Sequence, residues 1–190
     1  MEGEIKRLRA EGPLRLQFLF TTTSALLGSL LVLAGLKAIE PDWIRRAGIA
    51  TSFLLFTFSL VTYDYLISRD ISCDRSARAT ARIRQYFLSR SPGLSLHVSW
   101  QTIDRPTQWI RVDRSAIRRM AVFIASSVGG LSIGLTAFEL ARQFEIAYAV
   151  GIASGATVAF FMHQWASRRL KSAMAAALAE QRFPDPPSAA

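Results

Sequence analysis

The chain has 190 residues, 51% of them apolar, and its 23 Lys and Arg against 14 Asp and Glu give a formal charge of +9. Its apolar residues stand in long blocks separated by cationic stretches, which excludes an ordinary soluble globule. One cysteine, Cys73, excludes an internal disulfide framework.

Four apolar blocks, at 17–36, 47–67, 120–138 and 146–165, are each near the roughly 20 residues that cross about 30 Å of hydrocarbon at 1.5 Å per residue. Asp64 is the one charged residue inside them. A backbone in lipid has to satisfy its own N–H and C=O groups, so runs of this length predict helices. The expected fold is all-α: a polytopic four-helix membrane bundle of two hairpins, with an amphipathic cytoplasmic helix after the second and the fourth span.

Lys6, Arg7, Arg9 and Arg15 precede the first block, which exceeds the apolar core of a signal peptide, about 7–15 residues, and lacks an A-x-A site after it. It is read as a retained span. Of the Lys and Arg, 19 fall in the first, third and fifth inter-span segments and 4 in the other two. The positive-inside rule then places both termini and the central segment in the cytoplasm of a bacterial plasma membrane. Lys37, Arg45 and Arg46 oppose that orientation, from helix ends where snorkelling is easy and where Glu40 and Asp42 offset them.

The central segment, 68–119, carries eleven Arg against four Asp. Within DRSARATARIRQYFLSR, Ala79, Ile83, Tyr86 and Phe87 share a stripe flanked by Arg75, Arg78, Arg82 and Arg84. Two placements fit that pattern: a helix lying among anionic lipid headgroups, held by the four arginines, or a continuation of the second membrane helix packed on its neighbours. Ser91, Pro92 and Gly93 stop it either way. The segment has no RNP, helix-turn-helix or zinc-finger pattern, so anionic lipid is expected as its partner and nucleic acid is not. The alternation in LSLHVSWQT, 94–102, has no second strand to pair with and reads as extended interfacial chain, with Trp100 and Trp109 at the lipid boundary.

In the third block, GLSIG at 130–134 has the G-x-S-x-G outline of a hydrolase nucleophile. That motif needs a strand, a turn and a helix around it, and here it falls mid-helix, where Ser132 bonds its own preceding turn. Ser126, Gly130 and Gly134 instead form a small-residue stripe, matched in the fourth block by Ala147, Gly151, Gly155 and Ala159. Such stripes let helix backbones approach closely. With a short loop around Arg142 between them, the two stripes face each other or a second copy of the chain.

Ala153, Ser154 and Gly155 resemble the serine–glycine pattern of rhomboid-type intramembrane proteases, but His163 lies nine residues further along the same helix, roughly 13 Å away by helix rise. A nucleophile and its base need about 3 Å. His163 and Met162 point about 100° apart and do not share a metal; beside Gln164 and Trp165, the histidine reads as a boundary anchor. No cofactor or metal site is expected. The candidates for ion or proton handling are Asp64, with Thr57 on the same face, and Glu139 and Glu145, which bracket the second hairpin and can pair with Arg142. SRRLKSAMAAALAEQRF reads as a short C-terminal helix, followed by a PDPPSAA tail.

In chain order the expected parts are a first hairpin with its basic N-terminus (1–67), a basic cytoplasmic segment (68–119), and a second hairpin with a C-terminal helix and tail (120–190). Displacing the chain by 103 positions lays AGIA on VGIA and Ser24 on Ser127, so that each half reads hairpin, then basic helix. This arrangement resembles the bacterial SLATT-type effector domains, a hairpin followed by a cytoplasmic helix. The resemblance implies a non-enzymatic membrane protein working as a homo-oligomer or in a membrane complex, as a pore, effector or assembly subunit. The alternative is a small ion or solute transporter using the boundary carboxylates.

Overall fold

Helix α2, Pro41–Arg90, runs without a break through the second apolar block and the arginine-rich stretch behind it. The computed structural model describes residues 2–35, 40–91, 93, 104–111 and 115–182, and among them every long element is a helix: α1 Glu2–Gly35, α2, α3 Ala116–Ala141 and α4 Phe144–Ala179. Between residues 49 and 90 the chain has neither Gly nor Pro, so nothing stops α2 at the end of its apolar block. Its 50 residues extend about 75 Å, more than twice the hydrocarbon thickness. Helix α4 likewise continues through the stretch expected as a separate C-terminal helix. Both basic helices are therefore continuations of spans, which takes the place of the interfacial helix considered for DRSARATARIRQYFLSR. The expected extended chain at 94–102, Trp100 and the PDPPSAA tail lie outside the described residues.

All four helices are long and apolar enough to cross a membrane, the architecture of an integral membrane protein with four spans. Contacts group the chain into two units that cut across its order. One is Gly12–Leu66 with Ala116–Trp165; the other is Met1–Glu11 with Ile67–Ser115 and Ala166–Ala190. The first boundary falls beside Pro13, which sits inside α1 and withholds an N–H from its hydrogen-bond ladder.

In the spanning unit α2 touches each of the other three helices. Against α1, Phe18 and Phe58 meet edge to face at 6.1 Å and the Arg15 guanidinium lies 3.6 Å above the Tyr65 ring. Against α3, Leu55 joins Leu19, Ile124 and Val128 in one buried cluster. Against α4, the Tyr63 hydroxyl donates to the Met162 carbonyl at 3.3 Å. Outward stand Leu31, Val32, Phe53, Leu54, Phe123, Ile152, Phe160 and Phe161, all exposed. That much bare apolar surface suits lipid and not water.

The α3–α4 hairpin is held by backbone proximity. A Cβ on Gly130 would stand 2.6 Å from the Gly151 carbonyl oxygen, one on Gly134 3.1 Å from that of Ala147, and one on Gly155 2.9 Å from that of Ser126. The two small-residue stripes thus face each other within the chain. Arg142 turns the hairpin with φ 55°, and its N–H donates to the Phe138 carbonyl at 2.8 Å to close α3. A side chain on this seam has no room, so Gly130→Ala is expected to cost about 1–3 kcal/mol. Gly28, with nothing within 4 Å of a Cβ, is expected to accept Ala with a gain of about 0.5–1 kcal/mol. Thermal unfolding of the two variants in detergent measures the contrast.

Candidate functional site: an ionic junction in the basic unit

The unit formed by Met1–Glu11, Ile67–Ser115 and Ala166–Ala190 holds 16 Lys and Arg against 9 Asp and Glu, and so carries +7 of the chain's formal +9. Its architecture follows from how it disposes of the acids. Asp74, Arg78 and Arg82 stand four residues apart on α2, one turn above another on a single face. Asp74 and Arg78 are buried and Arg82 half-buried. A buried guanidinium is tolerated only where carboxylates and carbonyls meet its N–H groups.

Arg78 meets three. Its Nε donates to Asp74 Oδ2 at 2.9 Å, Nη1 to the Ala177 carbonyl at 3.2 Å and Nη2 to Glu180 Oε2 at 3.5 Å. One turn on, Arg82 donates through Nε to Asp104 Oδ2 at 2.5 Å and through Nη2 to the Glu180 carbonyl at 3.0 Å. The two arginines of α2 thereby cap the Ala177 carbonyl in the last turn of α4 and the Glu180 carbonyl just past it, at the negative end of the helix dipole. The carboxylates bind the third piece of chain. Asp74 Oδ1 accepts from the Thr107 N–H at 2.7 Å, and Asp104 Oδ2 from the Arg182 N–H at 3.2 Å. Thr107 in turn caps a 3-10 turn, Gln108–Ile110, whose Ile110 is buried. A neighbouring pair, Arg69 and Asp70, is buried at 2.5 Å.

These contacts join side chains 74, 78, 82, 104 and 180, of which the sequence reading singled out only Arg78 and Arg82, as lipid contacts. Arg78 is instead enclosed by carboxylates, and Arg82 is committed to Asp104 and α4. Arg75 is exposed, and Arg84 is half-buried with a partner inside the protein. The i, i+4 spacing of Asp74 and Arg78 was a visible signal of a pair on one helix face; nothing local announced that Asp104 and Glu180 would complete it.

The other candidates are not brought together. Asp64, half-buried on α2, and Glu139, at the end of α3, lie toward opposite ends of their antiparallel helices, because Phe56 packs at Gly129 and Arg45 at Glu139. Glu139 pairs with Arg142 at 3.1 Å and Arg45 at 3.4 Å. Glu145 is exposed in the first turn of α4, where a negative charge suits the helix dipole. GLSIG is uninterrupted helix with Ser132 buried, and Ser154 Oγ donates to the Gly151 carbonyl one turn back at 2.9 Å. His163 is exposed, and Trp109 is half-buried in the 3-10 turn. Among the described residues, no three His, Cys, Asp or Glu stand close enough to share a metal ion.

With this geometry the junction is a structural clamp whose chemistry is ion pairing. No protein-family model, curated protein or solved structure matches the chain.

Removing one member of a buried ion pair strands the other, at about 3–5 kcal/mol. Arg78→Met is therefore expected to destabilise the basic unit by that amount, while Arg75→Met, at an exposed position on the same helix, leaves stability within about 0.5 kcal/mol. Chemical denaturation in detergent, followed by helicity, distinguishes them.

Proposed function

We propose that the chain is a non-enzymatic subunit of a bacterial plasma membrane, an effector or assembly protein whose basic unit lies on the cytoplasmic side and engages anionic lipid headgroups. The observation that carries this reading is the distribution of charge. The acids Asp70, Asp74, Asp104 and Glu180 are occupied by Arg69, Arg78 and Arg82 inside the unit, while Arg75, Arg168 and Lys171 stand exposed. An anionic leaflet attracts each such cation near its surface by about 1 kcal/mol. The resemblance to SLATT-type effectors supports the same reading, since in each of the pairs α1–α2 and α3–α4 the second helix continues past its apolar block.

Assembly into homo-oligomers, or docking in a membrane complex, belongs to the same proposal. The glycine stripes are used within the hairpin, so contacts between copies fall to the exposed faces of α1 and α4, such as Leu31 and Val32 or Phe160 and Phe161.

A Gln108→Cys variant tests the orientation, because Gln108 is exposed in the basic unit whereas Cys73 is buried. An impermeant maleimide is expected to label it only after the cells are opened; labelling of intact cells would overturn the assignment. Light scattering of the purified protein in detergent is expected to give more than one chain per particle, and a single chain would remove the oligomer.

A further inference from the structure

The last turns of α2 carry an apolar stripe that the ionic junction does not use. Ile83, Tyr86 and Phe87 share one helix face at spacings of three and four, and they are exposed to 48%, 46% and 57%. Similar exposure of Leu54 or Phe123 is explained by lipid, because those residues belong to the spanning unit. Ile83 belongs to the basic unit, sixteen residues past Ile67, about 24 Å along a helix that has neither Gly nor Pro there. A headgroup layer is only about 5–8 Å deep. Lipid therefore does not account for the stripe, and aromatic surface left in water marks an interaction site.

Its surroundings describe the partner. Between Asp74 and Asp104 the sequence holds five Arg and no Asp or Glu, and Asp104 and Glu180, the acids at Arg82, are engaged there. The exposed Arg90 lies 4.3 Å over the Tyr86 ring, and Tyr86 meets Phe87 edge to face at 5.7 Å. A second copy pairing through the same stripe would set arginine against arginine, which is repulsive. Single-stranded RNA matches the charge, but its bases stack on open ring faces; here one face of Tyr86 is covered by Arg90, Phe87 stands across that ring, and Ile83 has no ring. Apolar residues at three–four spacing are how one helix reads another, and Tyr, Phe and Arg are enriched where proteins meet.

We propose that the end of α2 docks an acidic amphipathic helix of a soluble partner protein, its apolar stripe packed on Ile83, Tyr86 and Phe87 and its carboxylates beside Arg90. The proposal rests on the assembly reading, for which it names the class of partner. It does not depend on lipid binding by Arg75, Arg168 and Lys171.

The test uses the full chain in nanodiscs of phosphatidylcholine and fluorescently labelled synthetic helices of about three heptads, with empty discs as the blank. One peptide has leucine at a and d with glutamate at e and g; the second has lysine in place of glutamate, and the third alanine in place of leucine. The first is expected to bind at least about tenfold more tightly than either other, and to weaken as salt is added. Ile83→Ser and, independently, Phe87→Ser are each expected to weaken it by about tenfold or more; both positions are exposed, and unchanged helicity verifies the fold. Leu178→Ser, at an exposed leucine of α4 in the same unit, is expected to leave binding within about twofold. Equal binding of the three peptides would overturn the proposal, as would binding that survives both stripe variants, or oligouridine bound more tightly than the acidic helix. Pyrene on Ser89→Cys, selective because Cys73 is buried, reports the other occupants. Excimer emission would place a second copy on the stripe and quenching by brominated lipid would place the membrane there; either result overturns the proposal. Nanodiscs leave both membrane faces open, so failure to bind while Gln108 stays protected in intact cells would remove this docking site and leave the assembly reading standing.

Discussion

A guanidinium taken out of water has to be met by acceptors, and the buried Arg78 is met by a carboxylate of its own helix, the Glu180 carboxylate just past α4 and a main-chain carbonyl in the last turn of α4. The organisation of the basic unit follows from that requirement. Arg82 repeats it one turn along, while Asp74 Oδ1 accepts the N–H of residue 107 and Asp104 Oδ2 that of residue 182. Three stretches far apart in sequence are joined in one unit by these contacts.

The spanning unit obeys a different rule. Lipid gives helices no hydrophobic reason to associate, so α3 and α4 meet where side chains are absent and backbones come close. Their outer faces remain bare. A single chain thus has two kinds of glue: charge paired away from solvent in one unit, and van der Waals contact along glycine stripes in the other.

The membrane part of this architecture was legible in the sequence because its determinants are local. Runs of about 20 apolar residues mean spans, and small residues four apart on α3 and α4 mean close approach; Gly130, Gly134, Gly151 and Gly155 are where that reading put them. The basic unit was legible only in its charge. Where α2 would end was ambiguous from its composition, since an amphipathic arginine helix suits both a lipid surface and a protein neighbour. The outcome was decided by Asp104 and Glu180, which lie 22 and 98 residues from Arg82 and carry no periodic signal. For the same reason the division into parts by chain order could not express a unit assembled from both ends and the middle.

The ionic junction as the fastening of the basic unit is tested most directly by hydrogen–deuterium exchange of the full chain in detergent, comparing wild type with Asp74→Asn. The variant withdraws the carboxylate shared by Arg78 and the Thr107 N–H. The account predicts faster exchange at residues 107–111 and in the last turns of α4, with the amides of the α3–α4 seam unchanged. Exchange at 107–111 identical to wild type would contradict it, because the segment would then be held by something other than these charges.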